Sequence, residues 1–318
     1  MQNKAIRSKA VDLIKKIIAQ DGPEKSDYSA LHAEIERLGT FLQQPSINGK
    51  KYNELLDLLS PVLTTETMQG FAFQKPHGYP GDYEIMDRIY LEWKSENENL
   101  VKWDEFFHFQ KAPIAVRNRK QCFLEMLASF SKKRKEVRVL NVGSGPGRDM
   151  LEFFQDNPDA NVYFDCVDFD KDAIKYASRL CSSYLNRISF VNKNAFRFSP
   201  VRGYDVIWSA GLFDYLNDKQ FVFLLRKLHL CLNPGGELFI GNFSIENPSR
   251  KYMELFGKWY LVHRSRQQLF GLATDAGIDS WNVQVFSEPL GVNLFLHVKN
   301  TDGSTSLNGK SPALYCRI

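Results

Sequence analysis

A series of short, β-rich apolar segments begins after Glu136 and limits the folds open to this chain more than any other feature. VRVLNVG (137–143), VYFDCVDF (162–169), ISFVNKN (188–194), YDVIWSAG (204–211) and GELFIGNF (236–243) alternate with segments of helical character. That alternation implies a mostly parallel sheet with helices on both faces. WNVQVF (281–286) and VNLFLHV (292–298) then follow with only a few residues between them. So short a connection holds no crossover helix, so these two strands must pair antiparallel. The predicted fold class is α/β, a mostly parallel sheet closed by an antiparallel strand.

The chain before Glu136 reads differently. VDLIKKIIAQ, DYSALHAEIERLGTFL and YNELLDLLSPVL each place apolar residues three and four apart, and IAVRNRKQCFLEMLASF continues the pattern. The predicted division is a helical cap over 1–135, a sheet domain over 136–300 and a tail over 301–318, with ALYCRI a candidate last strand in the tail.

Composition narrows the function. With 318 residues, 43% hydrophobic and 25% charged, the chain can bury a large core. A net charge of +4, with basic residues scattered except for Lys132–Lys135, lacks the basic stripe of a nucleic-acid binder. Five cysteines without metal-ligand spacing predict no metal site and a reducing compartment. MQNKAIRSKAVDLIKKIIAQ is amphipathic and has no signal-peptide core, and no run approaches a membrane span. A cytoplasmic protein with a small-molecule partner is expected.

The chemistry centres on VLNVGSGPGRD (139–149), where the first strand runs into Gly143, Ser144, Gly145 and Gly147 before a helix begins. Glycines there let a ligand approach the backbone, and the helix start offers free N–H groups. The spacing is GxGxG rather than the GxGxxG of dinucleotide sites. Asp168 ends the second strand, where an acid can accept from the hydroxyls of an adenosine ribose, with Phe169 facing the adenine. Asn194 and Ala195 follow the third strand and suit an adenine edge. Ser209, Ala210 and Gly211 end the fourth and let a ligand lie against its tip. Asp168 as a helix cap and Asn194 as a turn residue are equally good readings taken singly.

VLNVGSGPGRD, CVDFD, NKNAF, YDVIWSAGLFDYL and LNPGGELFIGNF resemble the successive motifs of class I S-adenosylmethionine-dependent methyltransferases over roughly 137–298. The resemblance implies a Rossmann-like seven-stranded sheet with an antiparallel last strand. It also implies S-adenosylmethionine as cofactor, held by Gly143, Ser144, Gly145 and Gly147, with Asp168 on the ribose and Phe169, Asn194 and Ala195 around the adenine. Many relatives carry aspartate where Asn194 stands; an asparagine carbonyl also accepts.

KPHGYPGDYEIMDRIY (75–90) sets Pro76, Gly78, Pro80 and Gly81 among His77, Tyr79, Asp82 and Tyr83. A stiff turn carrying polar aromatics suits a substrate-side lid, although Asp82 can equally cap the helix after it. The stretch resembles a Lys-Pro-x-Gly-Tyr-x-Gly-Asp signature of a bacterial methyltransferase subgroup that makes 3-hydroxy fatty acid methyl esters as quorum-sensing signals. Members of that subgroup often have arginine at the position of His77. In NPSRKYMELFGKWYLVHRS (247–265), Tyr252, Phe256, Trp259 and Tyr260 fall at helical spacing, either as a core stripe or as an aromatic lid.

Methyl transfer demands alignment and exclusion of water. A carboxylate acceptor needs no base, whereas a hydroxyl or amine is helped by one. His77, Tyr79, Asp82 and Tyr215 are the substrate-side candidates, with Asp214 and His263 near them in the pattern. The expected function is methylation of a small molecule, best a carboxylate such as a 3-hydroxy fatty acid. The alternatives are O- or N-methylation of a natural product and a non-catalytic cofactor-binding protein.

Overall fold

The computed structural model describes residues 2–42, 49–200 and 202–301. The chain divides into two compact units. Of the described residues, one comprises those up to Ile114 together with Pro248–Tyr260; the other comprises those of Ala115–Asn247 and those from Leu261 onward. The candidate last strand at ALYCRI lies outside the described residues.

The sheet unit holds β1 (Val137–Val142), β2 (Val162–Asp168), β3 (Ile188–Asn192), β4 (Tyr204–Ser209), β5 (Leu232–Phe243), β6 (Val283–Ser287) and β7 (Asn293–Lys299). They form one seven-stranded sheet in the order β3-β2-β1-β4-β5-β7-β6. Neighbours among β1 to β5 pair parallel, whereas β7 runs antiparallel to both β5 and β6. The expected seven-stranded, Rossmann-like architecture is the observed one.

Side chains alternate across this sheet, so each face carries its own core. Val139, Phe164, Trp208, Phe239 and Phe295 pack under α7 (Lys111–Lys133) and α8 (Arg148–Asp156). Leu140, Ile207, Leu238 and Leu296 pack under α10 (Asp218–His229) and α12 (Arg266–Asp275). A further helix, α9 (Lys171–Leu180), links β2 to β3. β5 begins earlier than GELFIGNF suggested and takes in LNPGG. A register shift opposite Tyr204 and Val206 absorbs the extra residues, with Gly235 at φ +69° and its N–H donating to Asn300 O at 2.7 Å.

The helical unit contains α1 (Gln2–Ala19), α2 (Tyr28–Leu42), α3 (Gly49–Leu59), α4 (Met68–Gln74), α5 (Tyr83–Tyr90), α6 (Glu98–Phe109), the first turn of α7, and α11 (Arg250–Phe256). Aromatic rings form its centre: Phe106 lies 5.3 Å from Tyr28 and 5.7 Å from Tyr252, and Tyr252 stacks on Phe256 at 5.0 Å. Asp104 ties the unit together by accepting from Met68 N at 2.7 Å and Ser95 N at 2.8 Å. Burial raises its carboxyl to about 6 in spite of those bonds.

The aromatic stripe of 247–265 resolves as core. Tyr252, Phe256 and Trp259 are buried, and only Tyr260 is exposed. The helix stops at Phe256 because Lys258 turns left-handed, at φ +43°, so Trp259 and Tyr260 leave the helical register. Among the described residues no helix is long and apolar enough to cross a membrane.

Candidate active site

The glycine loop leaves β1 in three left-handed residues: Gly143 at φ +69°, Gly145 at +56° and Gly147 at +76°. They serve different ends. A side chain on Gly147 would meet Ala177 and Met150 at 3.1 Å, so this glycine permits packing beneath the loop. Nothing lies within 4 Å of a Cβ placed on Gly145, which leaves open space for a ligand against the backbone.

Asp168 is buried at the end of β2 and joined to that loop. Its Oδ2 accepts from Gly145 N at 2.9 Å and its Oδ1 from Asp170 N at 3.0 Å. Burial raises its pKa; the two amides oppose the shift without cancelling it. Asn192 holds the strand end from the other side, donating to Asp168 O at 3.1 Å and Phe169 O at 2.8 Å. The Phe169 ring is 60% exposed beside them.

The remaining cofactor-side candidates separate. Asn194 is exposed, and its Oδ1 accepts from Phe196 N at 2.9 Å in an Asx turn, one of its two expected roles. The Ala195 carbonyl faces Lys227 Nζ at 3.5 Å. Ser209 is wholly buried and donates from Oγ to Val142 O at 2.9 Å, so its hydroxyl fastens β4 to β1.

Two buried polar atoms of β1 and its loop have no hydrogen-bond partner, Asn141 Nδ2 and Ser144 Oγ. Beside the open face of Gly145 and the Asp168 carboxylate, they supply the donors and acceptors that an amino-acid-bearing adenosine needs. The residues present therefore fit S-adenosylmethionine. Among the described residues no cluster of His, Cys, Asp or Glu could hold a metal.

The substrate-side candidates stand in different units. In the helical unit, Asp82 caps α5, its Oδ1 accepting from Glu84 N and Ile85 N, each at 2.9 Å. His77 Nε2 lies 2.9 Å from Glu84 Oε2, and Arg88 pairs with the other oxygen of Glu84 at 2.7 Å. Burial would raise the Glu84 pKa, but these two partners lower it on balance. His77 is therefore engaged by a carboxylate of its own chain. Tyr79 is half-buried in the same turn.

In the sheet unit, Tyr215 is exposed in a short 3-10 turn after β4. Beside it, Asp214 is 2% exposed and accepts from Phe243 N at 2.6 Å. Burial raises its carboxyl to about 7 against the pull of Arg119, the Phe243 amide and Arg264. Arg264 is buried and locks this turn in place. Its guanidinium donates to Phe213 O, Leu216 O, Asn242 Oδ1 and Asp218 Oδ1 and lies over the Phe221 ring at 4.7 Å. His263 is held by Asn247 Nδ2 at 3.3 Å and faces Leu261 O at 3.1 Å.

Arg119, Asn141, Asp149 and Arg264 were not singled out from the sequence. Asp149 closes the glycine stretch VLNVGSGPGRD, and the structure buries it in the first turn of α8, where burial raises its carboxyl to about 6. Arg119 carried no signal at all, being one arginine in an amphipathic helix.

Residues 139–236 match the family described as a methyltransferase domain. This segment is a methyltransferase domain. The sheet order, the glycine loop and the antiparallel seventh strand are those of class I S-adenosylmethionine-dependent methyltransferases. The methyltransferase domain also resembles malonyl-[acyl-carrier protein] O-methyltransferase 2 of Ilyobacter polytropus, with 25% identity over 158 residues. That match covers 48% of this chain and 55% of the relative, so the chain spans about half the length of the curated protein it matches.

Among solved structures, a protein of Bordetella parapertussis described only as a possible exported protein superposes with TM-score 0.62 and 17% identity. It covers 87% of this chain and 96% of its own. The apo form of the S-adenosylmethionine-dependent methyltransferase SibL gives TM-score 0.50 and 14% identity, covering 86% of this chain and 75% of its own. At these identities the likeness concerns the fold.

Proposed function

We propose that this chain is an S-adenosylmethionine-dependent methyltransferase that converts a small-molecule carboxylate into its methyl ester, with a 3-hydroxy fatty acid as the substrate class. The observation that carries the cofactor assignment is the Gly145–Asp168 hydrogen bond beside the open face of the loop. Asp168 keeps a lone pair on each oxygen that would accept from the ribose, Phe169 would offer a face to the adenine, and Ser144 and Asn141 would serve the methionyl end. When bound, the cofactor supplies an electrophilic methyl group on a sulfonium.

A carboxylate oxygen would take that methyl group, the carbon–sulfur electron pair staying on sulfur. No proton changes hands, so the chain's task is to desolvate and align. The Ilyobacter relative, by its name an O-methyltransferase of an acylated carrier protein, supports an oxygen acceptor in an acyl compound. A fatty acid methyl ester suits a diffusible signal, which brings quorum sensing within the proposal. His77 and Tyr79 are proposed as substrate-side groups; Asp82 is read as the cap of α5.

Asp214 favours a second reading, methylation of a hydroxyl. A carboxyl near pH 7 in the turn after β4 has the affinity a general base needs at neutral pH. Calorimetric titration with S-adenosylhomocysteine, followed by turnover assays on 3-hydroxydecanoate across pH 5–9, tests both. Binding with a flat rate profile supports ester formation. A rate that rises through about pH 7 and is lost in Asp214→Asn supports the hydroxyl acceptor. Failure to bind S-adenosylhomocysteine sinks both.

A further inference from the structure

Arg119 is 3% exposed on α7 and has no ion-pair partner among the described residues. Its Nη1 donates to Ala210 O at 2.9 Å and Asn293 Oδ1 at 3.3 Å, while Nε has no acceptor. Asn293, wholly buried at the start of β7, likewise has an Nδ2 without a partner. Both orphan atoms are donors only, so what completes them must bring oxygen lone pairs. A guanidinium buried without an anion is costly, and a carboxylate relieves that cost by a pair of charge-assisted bonds.

The neighbouring carboxyls do not fill this role. Glu288 is consumed by Val292 N, Asn293 N, Leu290 N and Asn118 Nδ2. Asp214 senses the Arg119 charge, but no ion pair joins the two among the described residues, and its Oδ1 accepts from Phe243 N. Gly211 stands next to the guanidinium: a Cβ there would sit 3.7 Å from Nη2. A side chain at 211 would therefore press directly against the guanidinium.

We infer that Arg119 and Asn293 form a carboxylate-receiving corner at the tips of β4 and β7, and that the carboxylate is the substrate's. Ligands of open α/β sheets bind at this end of the strands. The corner bonds to β4 and β7, whereas the glycine loop follows β1 and is tied to β2. That offset favours the substrate carboxylate over the amino-acid carboxylate of the cofactor. One carboxylate oxygen held in this corner would leave the second to attack. This rests on the methyl ester reading above and adds to it the residues that recognise the acid.

The test is calorimetric titration of wild type, Arg119→Gln and Gly211→Val with 3-hydroxydecanoate, uncharged 1,3-decanediol, S-adenosylhomocysteine and methylthioadenosine, which lacks the amino-acid end. In Arg119→Gln the 3-hydroxydecanoate affinity falls at least about tenfold, while the diol and S-adenosylhomocysteine stay within about twofold. Gly211→Val keeps the arginine but sets a side chain against it, and gives the same loss should Arg119→Gln not fold. Unchanged 3-hydroxydecanoate affinity in a folded variant overturns the corner. A loss of S-adenosylhomocysteine affinity without loss of methylthioadenosine hands the corner to the cofactor and overturns the substrate assignment. Failure of the ester reading looks different: the wild-type protein then binds S-adenosylhomocysteine and no carboxylate, which also removes this inference.

Discussion

The Gly145 amide donates to the Asp168 carboxylate across 2.9 Å, so the loop after β1 and the acid at the end of β2 are a single unit. The acid reaches across from the adjacent strand and holds the left-handed glycine whose outer side is open.

Asp168→Ala therefore removes a brace of the loop and, with it, the proposed ribose acceptor. Affinity for S-adenosylhomocysteine is expected to fall by about ten- to a hundredfold, the range for a charge-assisted hydrogen bond. Asp168→Asn keeps the Oδ1 acceptor without the charge and should lie between the two. Calorimetry on protein with an unchanged circular dichroism spectrum decides it, and affinity equal to wild type removes Asp168 from the ligand.

Asp82 separates stability from turnover. Losing its acceptance from Glu84 N and Ile85 N in Asp82→Ala should cost about 1–2 kcal/mol in urea unfolding. Asp82→Asn keeps an equally good cap, so stability within a few tenths of a kcal/mol of wild type is expected, with turnover preserved. A well-folded Asn variant that has lost turnover would show that the carboxylate does more than cap α5.

Asp214 predicts a pH dependence of stability. Its folded pKa, about 7, lies above the ordinary carboxyl value, so the folded state holds the proton more tightly than the unfolded one. The stability this contributes is fully present below about pH 4 and is lost as pH rises through about 7. Asp214→Asn keeps an oxygen for Phe243 N and does not ionise. Its melting temperature should gain several degrees on wild type between pH 5 and 8. Parallel curves across that range would mean the carboxyl titrates normally.

The sheet, the glycine loop and Asp168 were legible because each is written locally, as a run of β-branched residues, a glycine spacing or an acid ending a strand. What escaped was long-range or sterically conditional. Arg119 meets partners 91 and 174 positions away. Arg264 reaches back 51 positions to Phe213 and 48 to Leu216. The aromatic stripe after β5 fitted helical spacing beyond Phe256, yet a left-handed Lys258 ends the helix there. LNPGG carries turn residues, but pairing with Asn300 draws it into β5.

The order β5-β7-β6 also has a consequence during synthesis. The strand that pairs with β5 is made after the one that lies beyond it, so β6 has no place in the sheet until 293–299 have left the ribosome. Until then β5 presents a bare edge, the kind that invites pairing between nascent chains. The residue that opens β7 is Asn293, which bonds Arg119. Closure of the sheet and completion of that corner are thus one late event, and a chain cut short before it lacks both.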